Sequence, residues 1–365
     1  MKNIHIETEY VKEWKTVIEI LATISSEVNF EFSSGKKKKS IVEKKRKTNY
    51  NSDSDSSSDS SSDSSSDSDS GSDSDSTRRK QRRKKKSTDD DDDDGGRIQV
   101  LTTSSDQVML VWLRFHGKQF EKFEVAEKKN GGNHVIGLDV DELNKYIKNV
   151  PKEGKLTICQ DERTVEFITF SVTDDAKGKA TVCELRRMNL YDIVGRHLDV
   201  EIAITIRMPC SDFHKACKDL QQFDQNIEII CERDTFKIIC KSDTSEQERR
   251  FSDNRKKGCE GSDVSISIGN DGGDTSDKPK SVRAIFDVKH INSISKCQNI
   301  SEYVLIHLNP CGTMFLKYEI GPLGSLLIGI SPVTTKRDRI TQSDDDCDDD
   351  YDDYKTLPAR VKKNY

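Results

Sequence analysis

The chain has 365 residues, 34% of them charged, with a formal net charge of −6 and a pI of about 5.8. That average hides blocks of opposite sign, so it excludes neither nucleic acid nor protein as a partner. No apolar run approaches the length of a membrane-crossing helix, and none of the ten cysteines stands in a C-x-x-C pair, which argues against a zinc or redox motif.

Taken in chain order, Trp14, Val17, Ile18 and Leu21 recur at i, i+3, i+4 and i+7 and predict a helix over Val11–Leu21. Phe30-Glu31-Phe32 reads as a strand. The composition then changes from about Gly35 to Gly96, with Lys36–Lys39, Lys44–Lys47, a Ser/Asp tract from Ser52 to Ser76, the basic run Arg78–Lys86 and Asp89–Asp94. Such a segment buries too little apolar surface to offset chain entropy, so 35–96 is expected to be a disordered insertion. Ile98–Leu101, Val108–Leu113 and Thr164–Phe170 read as strands. Between them, Asp139–Lys148 reads as a short helix with an Asp N-cap and lysines at its end.

The second half repeats the plan. Phe213, Ala216, Cys217 and Leu220 carry the spacing of the first helix, opened by Pro209. Glu201–Ile206, Ile227–Cys231 and Phe236–Cys240 alternate as strands. A polar loop is expected over about 243–280, holding a strand-like Val264–Ile268, and an acidic tail over 334–365. Between these, Asp287-Val288-Lys289-His290-Ile291-Asn292 through Lys296 repeats the D-V-x-x-(L/I)-N-x-x-x-K pattern of Asp139–Lys148, 148 residues on. Two copies of one helix-and-sheet unit predict an α+β chain of two similar domains, each an antiparallel sheet carrying two helices on one face. Cys159, Cys183, Cys231 and Cys240 fall in strand patterns and read as reduced core residues.

Phosphate-binding glycine loops, nucleophile elbows and spaced metal ligands are all absent from the sequence, so no enzyme and no cofactor is expected. What remains is charge on the helices. Lys12 and Lys15, Lys145 and Lys148, His214, Lys215 and Lys218, and Lys289, His290 and Lys296 are expected to share an outer surface able to track phosphates. The same residues also fit ordinary solvated helix faces.

At this point the chain resembles the DNA sliding clamp family of proliferating-cell-nuclear-antigen type. The resemblance rests on Met208-Pro209 followed by Phe213–Leu220, on Gly137-Leu138-Asp139 to Lys148, on Met188-Asn189-Leu190, and on Tyr318-Glu319-Ile320-Gly321 to Ser331-Pro332. It implies clamp domain 1 over 1–34 plus 97–172, an interdomain connector over 173–195 and clamp domain 2 over 196–333. It implies a homotrimeric ring threaded by duplex DNA, with helices inside and edge strands of neighbours paired at Thr164–Ser171 and Gln247–Phe251. DNA would be met by Lys15, Lys145, Lys148, Lys215, Lys218 and Lys296. Gln222 and Ala22 stand where the family often carries a basic residue. Partner peptides from a DNA polymerase, a clamp loader and other replication and repair proteins would enter a pocket of Val108, Leu110, Ile193, Val194, Thr313, Gly329, Ser331 and Pro332. There the family usually has an aromatic in place of Gly329 and a proline in place of Thr313. The insertion would lie in a hairpin between two strands of domain 1. The implied setting is the nucleus or a viral replication site, with no membrane. Two rivals stay open: a clamp fold binding DNA as a monomer or open dimer, and a scaffold acting through its disordered blocks.

Overall fold

The computed structural model describes residues 2–35, 95–128, 132–151, 153–174, 178–191, 201–232, 234–253, 264–268 and 281–333. Of the expected insertion over 35–96, Lys36 to Asp94 lie outside the described residues, as does the tail after Val333.

The first half runs β1 (Lys2–Thr8), α1 (Val11–Ile24), β2 (Glu27–Ser33), β3 (Arg97–Thr103), β4 (Met109–His116), β5 (Lys122–Val125), β6 (His134–Asp139), α2 (Val140–Lys148), β7 (Lys155–Asp161), β8 (Phe167–Asp174) and β9 (Lys179–Arg186). The second runs β10 (Ile204–Pro209), α3 (Cys210–Leu220), β11 (Asn226–Glu232), β12 (Thr235–Lys241), β13 (Glu246–Ser252), β14 (Ser265–Ile268), β15 (Ser281–Asp287), α4 (Val288–Ser293), β16 (Tyr303–Leu308), β17 (Met314–Ile320) and β18 (Gly324–Ile330).

The helices form where the periodicity and the caps meet. In α1 the predicted face of Trp14, Val17, Ile18 and Leu21 is buried. The Trp14 ring sits 4.9 Å from Phe115, and truncating a buried tryptophan of this kind costs about 3–5 kcal/mol. The Asp139 carboxylate accepts from the Glu142 N–H at 2.9 Å and so caps α2; Asp287 does the same for α4 through Lys289 N–H at 2.9 Å. The two copies of the repeat thus start alike. They end differently: α4 stops at Ser293, and Ser295–Asn299 is a 3₁₀ turn, so Lys296 stands on that turn and not on the helix. Pro209 closes β10 and occupies the N-cap of α3, one residue earlier than expected.

The strands are antiparallel throughout and build three sheets, in the orders β5-β1-β7-β8-β9, β14-β10-β16-β17-β18-β4-β3-β2-β6 and β13-β12-β11-β15. This corrects the expectation of one sheet per half. The nine-stranded sheet belongs to both halves, joined where β18 pairs with β4 from Gly324↔Phe115 to Ile330↔Met109. β2 and β3 form the expected hairpin, in register at Phe30↔Val100 and Ser33↔Arg97, so the two ends of the inserted segment meet there.

Three further expectations change. Thr164–Ser171 is not an edge, because β9 covers β8 along its length. Residues 179–186 of the expected connector are β9 itself. The expected polar loop contains β13, an outermost strand as foreseen for Gln247–Phe251, and β14, which pairs with β10. The remaining described connector runs beside β6. Met188 N–H donates to Gly137 O at 2.8 Å, and a Cβ on Gly137 would come within 2.6 Å of Met188 O, so only glycine admits this approach.

The cysteines Cys210, Cys217, Cys231, Cys240 and Cys297 are buried and free, Cys159 and Cys183 half-buried. Burial pushes the Cys210 and Cys231 thiols up to about 12, which keeps them protonated. No helix among the described residues is long and apolar enough to cross a membrane.

Candidate nucleic-acid interface

The helices pack as a row. α2 lies against α1, α1 against α4 and the following 3₁₀ turn, and those against α3. Each turns an apolar face to the sheets, so the polar faces of the row are left toward solvent.

The six lysines expected to meet DNA divide into two groups. Three are committed within the protein. Lys15 Nζ donates to the carbonyls of Lys148 at 2.8 Å and Val150 at 3.2 Å, where α2 ends and its carbonyls lack helical partners. Lys296 Nζ lies 2.9 Å from the Glu19 carboxylate on α1, tying the two halves. Lys145 pairs with Glu142 one turn back at 2.7 Å, and that bond raises its affinity for its proton. The other three, Lys148, Lys215 and Lys218, are exposed and have no ion pair among the described residues. Lys148 stands at the end of α2, while Lys215 and Lys218 are one turn apart on α3.

Both histidines expected on the outer surface are instead buried. His290 is 8% exposed, its Nε2 3.6 Å from Asp106 on the β3–β4 turn. His214 is 3% exposed, stacked on Tyr318 and bonded through Nε2 to its hydroxyl at 3.2 Å. Burial pushes His214 down to about 4, so its ring is neutral at physiological pH. A polar cleft of about 350 Å³ opens beside it between α3, α4 and the 3₁₀ turn, lined by Ser211, His214, Lys215, Lys218, Asn292 and Gln298 among others.

The residues expected to receive partner peptides are gathered in part. Leu110 on β4 faces Gly329 on β18, and Ser331 N–H donates to Val108 O at 3.0 Å. Pro332 lies beside Gly312, next to Thr313. Ile193 and Val194 lie outside the described residues. Phe315 was missed by the sequence reading. It faces Gly329 across the β17–β18 pair, and a Cβ on Gly329 would meet its ring at 2.9 Å. An aromatic ring from the neighbouring strand thus lies against Gly329. The signal was an aromatic cross-strand to a glycine, legible only once the β17–β18 register is known.

Residues 198–332 match the model for the C-terminal domain of proliferating cell nuclear antigen, and residues 84–193 match that for its N-terminal domain. The chain is 24% identical over 238 residues to proliferating cell nuclear antigen 2 of Drosophila melanogaster, covering 64% of this chain and 84% of that protein. It is 19% identical over 240 residues to a probable DNA polymerase sliding clamp of Paramecium bursaria Chlorella virus 1, covering 65% and 84%. It is 26% identical over 209 residues to a DNA polymerase sliding clamp of Methanococcus maripaludis, covering 56% and 75%. Two domain models in tandem, the duplicated helix pair and the three antiparallel sheets agree: the chain belongs to the proliferating cell nuclear antigen family, the sliding clamps that serve as processivity factors for DNA polymerase.

Proposed function

We propose that copies of this chain close into a homotrimeric ring around duplex DNA and hold DNA polymerase, clamp loader and other replication and repair proteins there, in the nucleus or at a viral replication site, without catalysis of their own. The observation that supports the ring is a pair of outermost strands, β9 and β13, among the six that end the three sheets. Among the described residues, β9 and β13 each have a neighbour on one side only. β9 bears Val182, 62% exposed, and β13 carries both signs of charge in Glu246, Glu248, Arg249 and Arg250. An unpaired edge is a template for another strand. Because β9 and β13 differ, their pairing is head to tail, and such contacts build rings when the rotation closes.

Inside the ring, Lys148, Lys215 and Lys218 would meet phosphates without reading bases, giving salt-dependent contacts that let the clamp slide. Lys15, Lys145 and Lys296 would serve mainly to hold the inner wall in shape. Partner peptides would dock near Leu110, Val108, Ser331 and Pro332, over a floor closed by Phe315, with Thr313 at the rim.

Sedimentation equilibrium tests the ring, on the full chain and on a version lacking 36–94. A species of three times the 41.4 kDa chain mass in both supports it. A monomer in both would overturn it in favour of direct electrostatic binding.

A further inference from the structure

We propose that the acidic run Asp344–Asp353 of the chain's own tail docks on the helix row, an internal polyanion held by Lys12, Lys148, Lys215 and Lys218. That the docked run competes with duplex rests, in addition, on the reading that the row faces DNA.

The row offers cations without counter-charges. Lys12 on α1, Lys148 at the end of α2, and Lys215 and Lys218 on α3 are exposed, and none has an ion pair among the described residues. Three carboxylates of the row are occupied: Glu19 holds Lys296 at 2.9 Å, Glu142 holds Lys145 at 2.7 Å and Asp219 meets Arg249 at 3.8 Å. Glu13, Asp141 and Asp212 stand in the first turns of α1, α2 and α3, where the helix dipole already favours a negative charge. Several strand cations, by contrast, are matched. Lys155 lies 2.6 Å from both Glu7 and Glu121, Lys241 within 3.8 Å of Glu228 and Glu246, and Lys317 3.2 Å from Glu319. A polyanion gains more on the helices, where it neutralises lysines without displacing a partner.

The place where the described chain stops points to the occupant. Val333 N–H donates to Ile285 O at 2.7 Å, two residues before Asp287 caps α4. The tail thus leaves beside the strand that feeds the row. Asp344 stands 11 residues beyond Val333, a reach of up to about 36 Å. The ten residues from Asp344 to Asp353 include eight aspartates, and they extend up to about 33 Å. Four helical segments packed about 8–10 Å apart span about 24–30 Å, so one run matches the width of the row.

The acidic runs of the insertion fit less well. The insertion leaves β2 at Ser33, whereas α1 joins that strand at Glu27, so its exit lies roughly 20 Å along β2 from the α1 end. Its aspartates are also flanked by the basic runs Lys36–Lys39, Lys44–Lys47 and Arg78–Lys86, while the tail's run has no basic residue inside it.

Carbodiimide cross-linking of the full chain without DNA, mapped by mass spectrometry, tests the docking, because it joins a carboxylate to an amine only where the two meet. Links from Asp344–Asp353 to Lys148, Lys215 and Lys218 are expected, with Lys179 on β9, exposed but off the row, left unlinked. Links to the lysines of the insertion alone would overturn the proposal and make the insertion the partner. Links between labelled and unlabelled chains in a mixed sample would overturn the assignment to the chain's own tail. A variant with the eight aspartates each changed to Asn keeps the length of the tail and tests the competition. Its binding to a short duplex should tighten about tenfold at low salt, as a tethered competitor at about millimolar effective concentration allows. The gain should fade at high salt, where screening releases the tail of the parent chain as well. Links to the row without any gain in duplex affinity would keep the docking and remove the reading that the row faces DNA. Absence of links to the row overturns the docking, whatever the duplex affinity.

Discussion

The Lys15 ammonium donates to the main-chain carbonyl of Lys148 across 2.8 Å, between residues 133 apart in the chain. One lysine expected on the DNA-facing surface thus holds in place the helix end that presents another. Charge on this surface therefore has two uses, and substitution separates them. Lys15→Met leaves the α2 carbonyls of Lys148 and Val150 without their donor. The expected cost is about 1–2 kcal/mol, a drop of a few degrees in a thermal unfolding scan followed by circular dichroism. Duplex affinity measured well below that midpoint should change little.

Lys148→Glu combined with Lys218→Glu should do the opposite. Both side chains are exposed and have no ion pair among the described residues, so the melting midpoint should hold. Duplex affinity should fall, and the slope of log K against log salt should flatten by about two, near 0.9 for each phosphate no longer neutralised. Unchanged affinity and slope would show that these lysines do not face DNA.

At the edge of the first sheet, Val182→Lys puts a charge where the neighbouring copy is expected to pair. The trimer should give way to monomer in sedimentation, while unfolding of the monomer stays within about 0.5 kcal/mol of the parent, as for other surface changes. A stable trimer carrying Lys at 182 would move the subunit contact away from β9.

Gly329→Ala drives a Cβ to 2.9 Å from the Phe315 ring. Overpacking of this kind costs about 1–3 kcal/mol. Phe315→Ala removes the obstacle, so the double variant should be less destabilised than the two single changes summed, a coupling read by urea unfolding.

His214 gives a pH signature. Burial holds it down to about 4, against about 6.5 for an unperturbed histidine. As pH falls, the unfolded chain binds a proton before the folded one does. The neutral ring's contribution is full above pH 6.5 and is lost as the pH drops toward 4, on the order of 3 kcal/mol in all. In His214→Gln the stability curve should be flatter between pH 6.5 and 4, as measured by urea unfolding at each pH.

Much of this fold was legible because local rules and tertiary burial agree. The stripe of Trp14, Val17, Ile18 and Leu21, the caps at Asp139 and Asp287, and the β-branched strands needed only periodicity and cap chemistry. What escaped depends on contacts between distant segments. β9 buries no residue fully, and only Cys183 and Leu185 are half-buried, so Lys179–Arg186 gave a weak strand signal and was absorbed into the connector. β13 was partly hidden by its charges. His214 and Lys215 are adjacent and both polar, yet one packs on Tyr318 and the other meets water; only the helix's rotation against β17 separates them. The commitment of Lys15, Lys145 and Lys296 was equally invisible, since charge in a sequence does not name its partner.

The junction of β4 with β18 has a consequence for synthesis. The edge of β4 opposite β3 finds its partner only when Gly324–Ile330 has been made, some 200 residues after His116. At translation rates of about 5–20 residues per second, that strand, with Met109, Val111, Leu113 and Phe115 along one face, waits roughly 10 to 40 s on the ribosome. The nascent first half is therefore the form in which this protein is most exposed to aggregation, and a chaperone engaged with it would be released by the arrival of the last strand.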